Sequence, residues 1–218
     1  MKLKRWQKLG ASVVLFSVLL SNFASAQPQK NGHYIFPEFE KAVVYLKSGV
    51  SETIDLNYNT ITEEMVFVKN GAFLAMDNLK DIERVEIGDR LFIPVSNVFY
   101  EQLSDGGIPL LMRHKSKLLM KGKSTELGST QASAVDNISN ISSSGKVYNL
   151  EIGAEYGLIH EDSFFIRKGD KFLPFNNMKE AGRAFPDKAQ QIKHYKSNQK
   201  VRFGNQNDVT ELLKYLVK

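Results

Sequence analysis

Residues 65–76 read MVFVKNGAFLAM, which is two short apolar runs joined by Asn70-Gly71. Asn-Gly is a strong signal for a two-residue hairpin turn, because both residue types tolerate the positive φ angles that such a turn requires. Further pairs of short apolar runs, separated by Gly, Asn or Asp, lie on both sides of this hairpin. Regularly spaced short strands of this kind predict an antiparallel sheet, arranged either as a sandwich or as an open barrel.

The strand pattern ends near residue 175, where the apolar residues change to a helical spacing. The last predicted helix has an apolar stripe at the i, i+3, i+4, i+7 spacing of a buried face. The stripe consists of Val209, Leu212, Leu213 and Leu216. The chain is therefore predicted to be α+β, mainly antiparallel β-sheet, with a short C-terminal helical segment over residues 176–218.

Residues 122–145 have a different composition from the rest of the predicted β-rich domain, residues 27–175. They are rich in Ser, Thr, Asn and Gly and contain no aromatic residue. Such a segment buries too little apolar area to offset its conformational entropy, which predicts a mobile loop. The alternative is a linker between two domains, but the strand pattern resumes after it, which favours one domain.

The N-terminus has the three parts of a secretory signal peptide. Four basic residues lie within the first eight positions, an apolar run covers residues 11–20, and Ala24-Ser25-Ala26 offers a cleavage site. The apolar run is shorter than the roughly 20 residues that cross a bilayer. We therefore expect residues 1–26 to be removed, leaving an exported periplasmic or extracellular protein that is not an integral membrane protein.

Charge and cysteine content exclude several classes of function. Removing the four basic residues of the signal leaves 25 basic and 24 acidic residues, a net charge of +1, so no nucleic-acid partner is expected. The charge is uneven, because residues 27–111 sum to −6 and residues 179–218 sum to +5. The chain has no cysteine, which excludes disulfides and thiolate chemistry.

Only weak signals for a chemical site are present. His160 and Asp162 are two residues apart, so on a strand they would share one face. Two ligands do not make a zinc site, which needs three or four, and no G-x-S-x-G nucleophile motif occurs. The sequence therefore predicts no catalytic residue, no metal site and no cofactor, and a polar turn at residues 160–162.

Basic residues alternate with apolar ones along residues 112–123. Arg113, Lys115 and Lys117 are the first of them. Lysines on an edge strand usually prevent edge-to-edge pairing, which is the interpretation that we favour. The alternative is a basic surface that contacts an anionic partner such as lipid headgroups or polysaccharide.

Several stretches of this chain resemble uncharacterised exported proteins that are common in Bacteroidota. The similar stretches are residues 56–59, 63–67, 82–92, 185–186 and 208–215, together with Ile192 and Tyr195. The resemblance implies a Gram-negative host and a location in the periplasm or outside the cell. It implies no activity and no catalytic residues.

We expect a non-enzymatic module of the bacterial cell envelope, either structural or binding an envelope protein, a lipid or a polysaccharide. The alternative is a secreted hydrolase whose active site has no recognisable motif. A deep pocket with a polar cluster around His160 would favour the hydrolase. An apolar or flat groove would favour the binding protein.

Overall fold

The structure is a computed structural model that describes residues 32–104, 107–120, 124–125, 128–129, 133–135 and 156–218. The predicted signal peptide lies outside these residues, as does most of the predicted loop at residues 122–145. Among the described residues, no helix combines the length and the hydrophobicity needed to cross a bilayer.

The main element is an open ten-stranded antiparallel sheet. Its strands are β1 (Glu40–Leu46), β2 (Ser51–Asn59), β3 (Glu64–Lys69), β4 (Ala72–Ala75), β5 (Ile82–Ile87), β6 (Arg90–Val95), β7 (Val98–Gln102), β8 (Leu110–Arg113), β14 (Ser163–Lys168) and β15 (Lys171–Pro174). Their spatial order is β15-β14-β8-β7-β6-β5-β1-β2-β3-β4. The predicted antiparallel, mainly β architecture is confirmed.

Short strands between β8 and β14 form two smaller sheets. They are β9 (Ser116–Met120), β10 (Ser124–Thr125), β11 (Gly128–Ser129), β12 (Ser133–Val135) and β13 (Tyr156–His160). β9 lies between β12 and β13, and β10 pairs with β11. Three of these strands fall within the predicted loop, whose other residues lie outside the described part of the chain.

The hairpin that the sequence indicated most strongly joins β3 to β4. Lys69 pairs with Ala72, and Asn70 and Gly71 form the turn with φ angles of 53° and 77°. Positive φ at both turn positions matches the right-handed twist of the two strands. The prediction at this hairpin is confirmed.

The N-terminal half of the sheet curls, so that β3 approaches β7. The curled face encloses an apolar core in which the ring of Tyr58 stacks on that of Phe92, with centroids 6.2 Å apart. Ten buried side chains form this N-terminal core: Ala42, Val44, Leu56, Tyr58, Met65, Ile82, Val85, Ile87, Phe92 and Phe99. The sequence predicts a sandwich or an open barrel, and the structure has a curled ten-stranded sheet that does not close.

Three helices build a second apolar core. They are α1 (Met178–Ala184), α2 (Ala189–Asn198) and α3 (Gln206–Val217), and they pack with side chains from β8 and β14, such as Leu110 and Phe164. The four stripe residues of α3 are at most 3% exposed. The predicted helical segment and its buried stripe are therefore confirmed.

The described part of the basic run, residues 112–120, is not an edge strand. β8 lies between β7 and β14, and β9 lies between β12 and β13. The strand is interrupted between β8 and β9. There the Lys115 N–H donates to the Asp162 carboxylate over 3.1 Å instead of to a neighbouring strand. The edge-protection interpretation of Arg113 and Lys117 is wrong, since both strands already have partners on each side.

Candidate functional site

The structure brings polar side chains together where β8 passes into β9. We call this group the polar junction. It consists of Arg90, Glu101, His114, Ser116, His160 and Asp162. The members come from β6, β7, the β8–β9 connection, the start of β9, the end of β13 and the β13–β14 connection, so only the folded chain assembles them.

Glu101 is the buried anion of the junction. The Arg90 guanidinium donates to both carboxylate oxygens, with Nε 2.7 Å from Oε1, and the His114 Nε2 lies 2.6 Å from Oε2. Burial disfavours the charged carboxylate, but the hydrogen bonds from His114 and Arg90 outweigh it and lower the pKa of Glu101. A carboxylate held in its ionised form by two partners stabilises the fold and is a poor proton donor.

Ser116 and His160 form the one pair in the junction that resembles a nucleophile and its base. Ser116 Oγ lies 3.0 Å from His160 Nδ1, and the Thr60 hydroxyl lies 2.9 Å from the same Oγ. Such a pair is the start of an acyl-transfer site. However, Ser116 is only 1% exposed, so its hydroxyl is closed to a substrate in this conformation.

His160 and Asp162, the two weak candidates from the sequence, contact different partners. His160 contacts Ser116, whereas Asp162 accepts from the Lys115 N–H and lies 3.9 Å from His114 Nδ1. Within the described part of the chain, no group of three His, Asp or Glu side chains is placed to hold a metal ion. The sequence did not indicate His114 and Glu101, because they are neighbours only in space.

Two of the three candidate basic residues are paired with carboxylates. Arg113 donates to Glu63, with Nη2 2.8 Å from Oε2, and Lys117 Nζ lies 3.0 Å from Glu161 Oε1. Lys115 contacts the β13–β14 connection through its backbone, because its carbonyl accepts the Glu161 N–H over 2.7 Å. A basic surface that binds lipid or polysaccharide at these residues stays a prediction.

His33 is a buried histidine beside the junction. It is 1% exposed, and its backbone carbonyl accepts the Thr60 N–H over 2.7 Å. Neither ring nitrogen has a hydrogen-bond partner among the described residues. Burial lowers the pKa of His33 to about 4, so its ring is neutral at physiological pH.

A cleft of about 860 Å³ opens where α3 faces the β7–β8 connection. Its apolar lining consists of Leu103, Ile108, Phe185, Leu213, Leu216 and Val217. Leu216 and Leu213 are nearly fully buried and form the floor, whereas Val217 is 44% exposed at the mouth. This volume lies within the range of roughly 300–1,000 Å³ that is typical of small-molecule sites.

The polar side chains of this cleft are Ser104, Thr210, one aspartate and three lysines. Lys168, Lys188 and Lys214 line it, with Asp187 as the one carboxylate among the described lining residues. Lys168 Nζ donates to the Ala184 carbonyl over 2.6 Å and lies 3.9 Å from the centroid of the Phe185 ring. An apolar wall with a few charged groups can hold a hydrocarbon chain and orient a polar head.

The sequence predicts only part of this cleft. The stripe of α3 predicted that Leu213 and Leu216 would be buried, but it did not show that they form the floor of a cavity. The other lining residues come from three further segments, near residues 103–108, at Lys168 and at residues 185–188. No sequence pattern links segments that are so far apart along the chain.

The polar junction lies away from the apolar cleft. A second cleft, of about 480 Å³, has an acidic lining that includes Glu63, Asp77 and Asp81. Neither of these clefts is lined by Ser116, His114 or His160 among the described residues. The Ser116–His160 pair therefore lacks a substrate site in either cleft.

No protein-family model, curated protein or solved structure matches this chain.

Proposed function

We propose that this chain is a non-enzymatic binding protein that holds an apolar ligand in the cleft between α3 and the β7–β8 connection. The observation that carries the proposal is the cleft itself, about 860 Å³ in volume and lined mainly by apolar side chains. Burial of a hydrocarbon group there is favourable by about 25 cal/mol per Å² of apolar surface removed from water. The proposal includes export to the bacterial cell envelope, which is supported by the N-terminal sequence.

Part of the wall of the cleft belongs to the C-terminal apolar core. Leu213 and Leu216 belong to α3, and Phe185 belongs to the same apolar core. The Phe185 ring packs edge-on against Phe175, with centroids 6.2 Å apart. A preformed cavity costs a ligand little reorganisation on binding, which favours a binding role.

The alternative, a secreted hydrolase, is supported only by the hydrogen bond between Ser116 and His160. A nucleophile must meet its substrate, yet Ser116 is buried and its Oγ also contacts Thr60. Glu101, the most buried carboxylate of the junction, is held by Arg90 and His114 instead of orienting His160. The contacts of the junction therefore favour a structural role over acyl transfer.

Filling the cleft tests the proposal. Ile108→Trp replaces a partly exposed wall residue with a larger ring, and we expect it to weaken binding of phenylnaphthylamine, an uncharged apolar fluorophore, by about ten-fold or more. The fluorophore is excited directly and titrated against the purified protein, and a thermal melt confirms that the variant is folded. Val217→Trp, at the exposed mouth, provides a second variant if Ile108→Trp does not fold.

Ile159→Trp is the matched control. Ile159 is 42% exposed on β13 and does not line the cleft. We expect this variant to bind the fluorophore as the unsubstituted protein does. Absence of binding in the unsubstituted protein, or equal binding by Ile108→Trp and Ile159→Trp, would contradict the proposed site.

A further inference from the structure

The apolar cleft has an excess of positive charge. Three lysines and one aspartate line it among the described residues, and residues 179–218, which supply most of its wall, sum to +5. We infer that its ligand is a single-chain amphiphile with an anionic head, which Lys188 and Lys214 bind at the rim. This inference rests on the proposed function, because it names the class of ligand for the same cleft.

Lys168 is already engaged by the protein itself. Its ammonium donates to the Ala184 carbonyl over 2.6 Å and lies over the Phe185 ring. These contacts fix the segment between α1 and α2 against β14. Lys168 therefore shapes the wall of the cleft, and the ligand head is left to the other two lysines.

Lys214 and Lys188 are available to an anion. Lys214 Nζ lies 3.1 Å from Glu211 Oε1, but both side chains are exposed, and an exposed ion pair contributes at most about 1 kcal/mol. A ligand carboxylate or phosphate can replace so weak a partner. No carboxylate pairs with the Lys188 ammonium within the described ranges, although Asp187 adjoins it in sequence.

The shape of the site favours a separate amphiphile over the surface of a membrane. The cleft is concave, and its floor at Leu213 and Leu216 is buried below the rim. An acyl chain can lie above this floor, against the accessible residues Leu103, Ile108 and Val217, while its head stays among the lysines. A flat array of headgroups would meet the lysines but would leave the apolar floor unfilled.

Charge selectivity tests the inference. Decanoate, decanol and decylammonium share one chain and differ in the charge of the head, and each is used to displace phenylnaphthylamine from the purified protein. We expect decanoate to displace it at about ten-fold lower concentration than decanol does, because two exposed charge contacts are gained. Decylammonium is expected to be the weakest competitor, and added salt should reduce the advantage of decanoate.

The variant Lys188→Gln/Lys214→Gln should remove the advantage of decanoate and leave displacement by decanol unchanged. The matched control is Lys179→Gln/Lys193→Gln, which removes the same charge from exposed lysines outside the cleft. In this control we expect decanoate to keep its advantage. A similar loss in both double variants would show a general charge effect and would overturn the inference.

The two proposals fail in different ways. Equal displacement by decanoate and decanol overturns the anionic head while leaving the apolar cleft intact as a binding site. Fluorophore binding that is absent, or that persists in Ile108→Trp, overturns the cleft itself. Displacement by decanoate only when it is presented in anionic lipid vesicles would identify a membrane surface and would also overturn the inference.

Discussion

The surroundings of two buried residues, Glu101 and His33, determine whether each is charged. Glu101 is buried but keeps its charge, because Arg90 and His114 donate hydrogen bonds to it. His33 is equally buried but has no ring partner in the described part of the chain, and burial lowers its pKa from 6.5 to about 4. The two residues show that a partner, more than depth, decides whether a buried group stays charged.

The shift at His33 predicts a loss of stability in acid. The unfolded chain binds a proton at this residue as the pH falls through 6.5, whereas the folded chain does so only near pH 4. Above pH 6.5 His33 is neutral in both the folded and the unfolded chain and does not affect stability. As the pH falls from 6.5 to about 4, only the unfolded chain gains the proton, so the free energy of unfolding falls. One pKa unit corresponds to about 1.4 kcal/mol, so the loss is on the order of 2 to 3 kcal/mol.

Urea unfolding near neutral pH and at about pH 4.5 measures this loss. In His33→Gln the drop in unfolding free energy between the two conditions should be smaller by roughly 2 kcal/mol than in the unsubstituted protein. His194→Gln is the control, because His194 is exposed on α2 and should leave the drop unchanged. Equal drops in all three proteins would show that His33 does not stay neutral in the fold.

At the scale of single elements, α3 carries much of the C-terminal core. Its four stripe residues are buried, and Asn205 caps its first turn by accepting the Asp208 N–H over 3.1 Å. Arg202 adds an ion pair to Asp208, with Nε 2.9 Å from Oδ2. The helix is thus fixed at its start by polar contacts and along its length by apolar ones.

Truncating the stripe should destabilise the isolated protein. Leu213→Ala removes a side chain that is 3% exposed, and a buried Leu→Ala change costs about 2 to 5 kcal/mol. The control is Leu74→Ala on β4, where the side chain is 40% exposed and the expected cost is below about 1 kcal/mol. Thermal or urea unfolding checks both, and an unchanged stability of Leu213→Ala would show that the stripe does not pack internally.

The break between β8 and β9 is an element that the local sequence did not predict. The alternating residues 112–120 fit one continuous strand, but the Tyr58 hydroxyl donates to the His114 carbonyl and the Asp162 carboxylate accepts the Lys115 N–H. These side chains satisfy backbone groups that a neighbouring strand would otherwise pair. Tyr58 and Asp162 are 56 and 47 residues away from the backbone groups that they contact, so no local sequence pattern predicts these hydrogen bonds.

At the scale of the whole molecule, two apolar cores lie on the same sheet. The N-terminal core is enclosed by the curl of β1 to β7, and the C-terminal core lies under the helices. The polar junction lies where β8 continues into β9, and the apolar cleft lies at the edge of the C-terminal core. No disulfide holds either core, because the chain has no cysteine.

Export is the prediction that concerns the chain as a whole. Intact-mass measurement of the protein purified from its native host should give a chain that starts at or near Gln27. The reason is that residues 1–26 contain, in order, a basic start, an apolar run and small residues at the cleavage site, which is the pattern of a secretory signal peptide. A native chain that retains these residues would contradict cleavage, and expression without them provides the mass standard for comparison.

The sequence alone determined the class of the fold, the β3–β4 hairpin and the buried stripe of α3. These features depend on short-range periodicity and turn chemistry, which are set by residues close together in the chain. Only the tertiary structure decided the curl of the sheet, the grouping of Glu101 with His114 and the cleft between α3 and the β7–β8 connection. Each of these joins segments that are distant in sequence, because packing and hydrogen bonding act between neighbours in space.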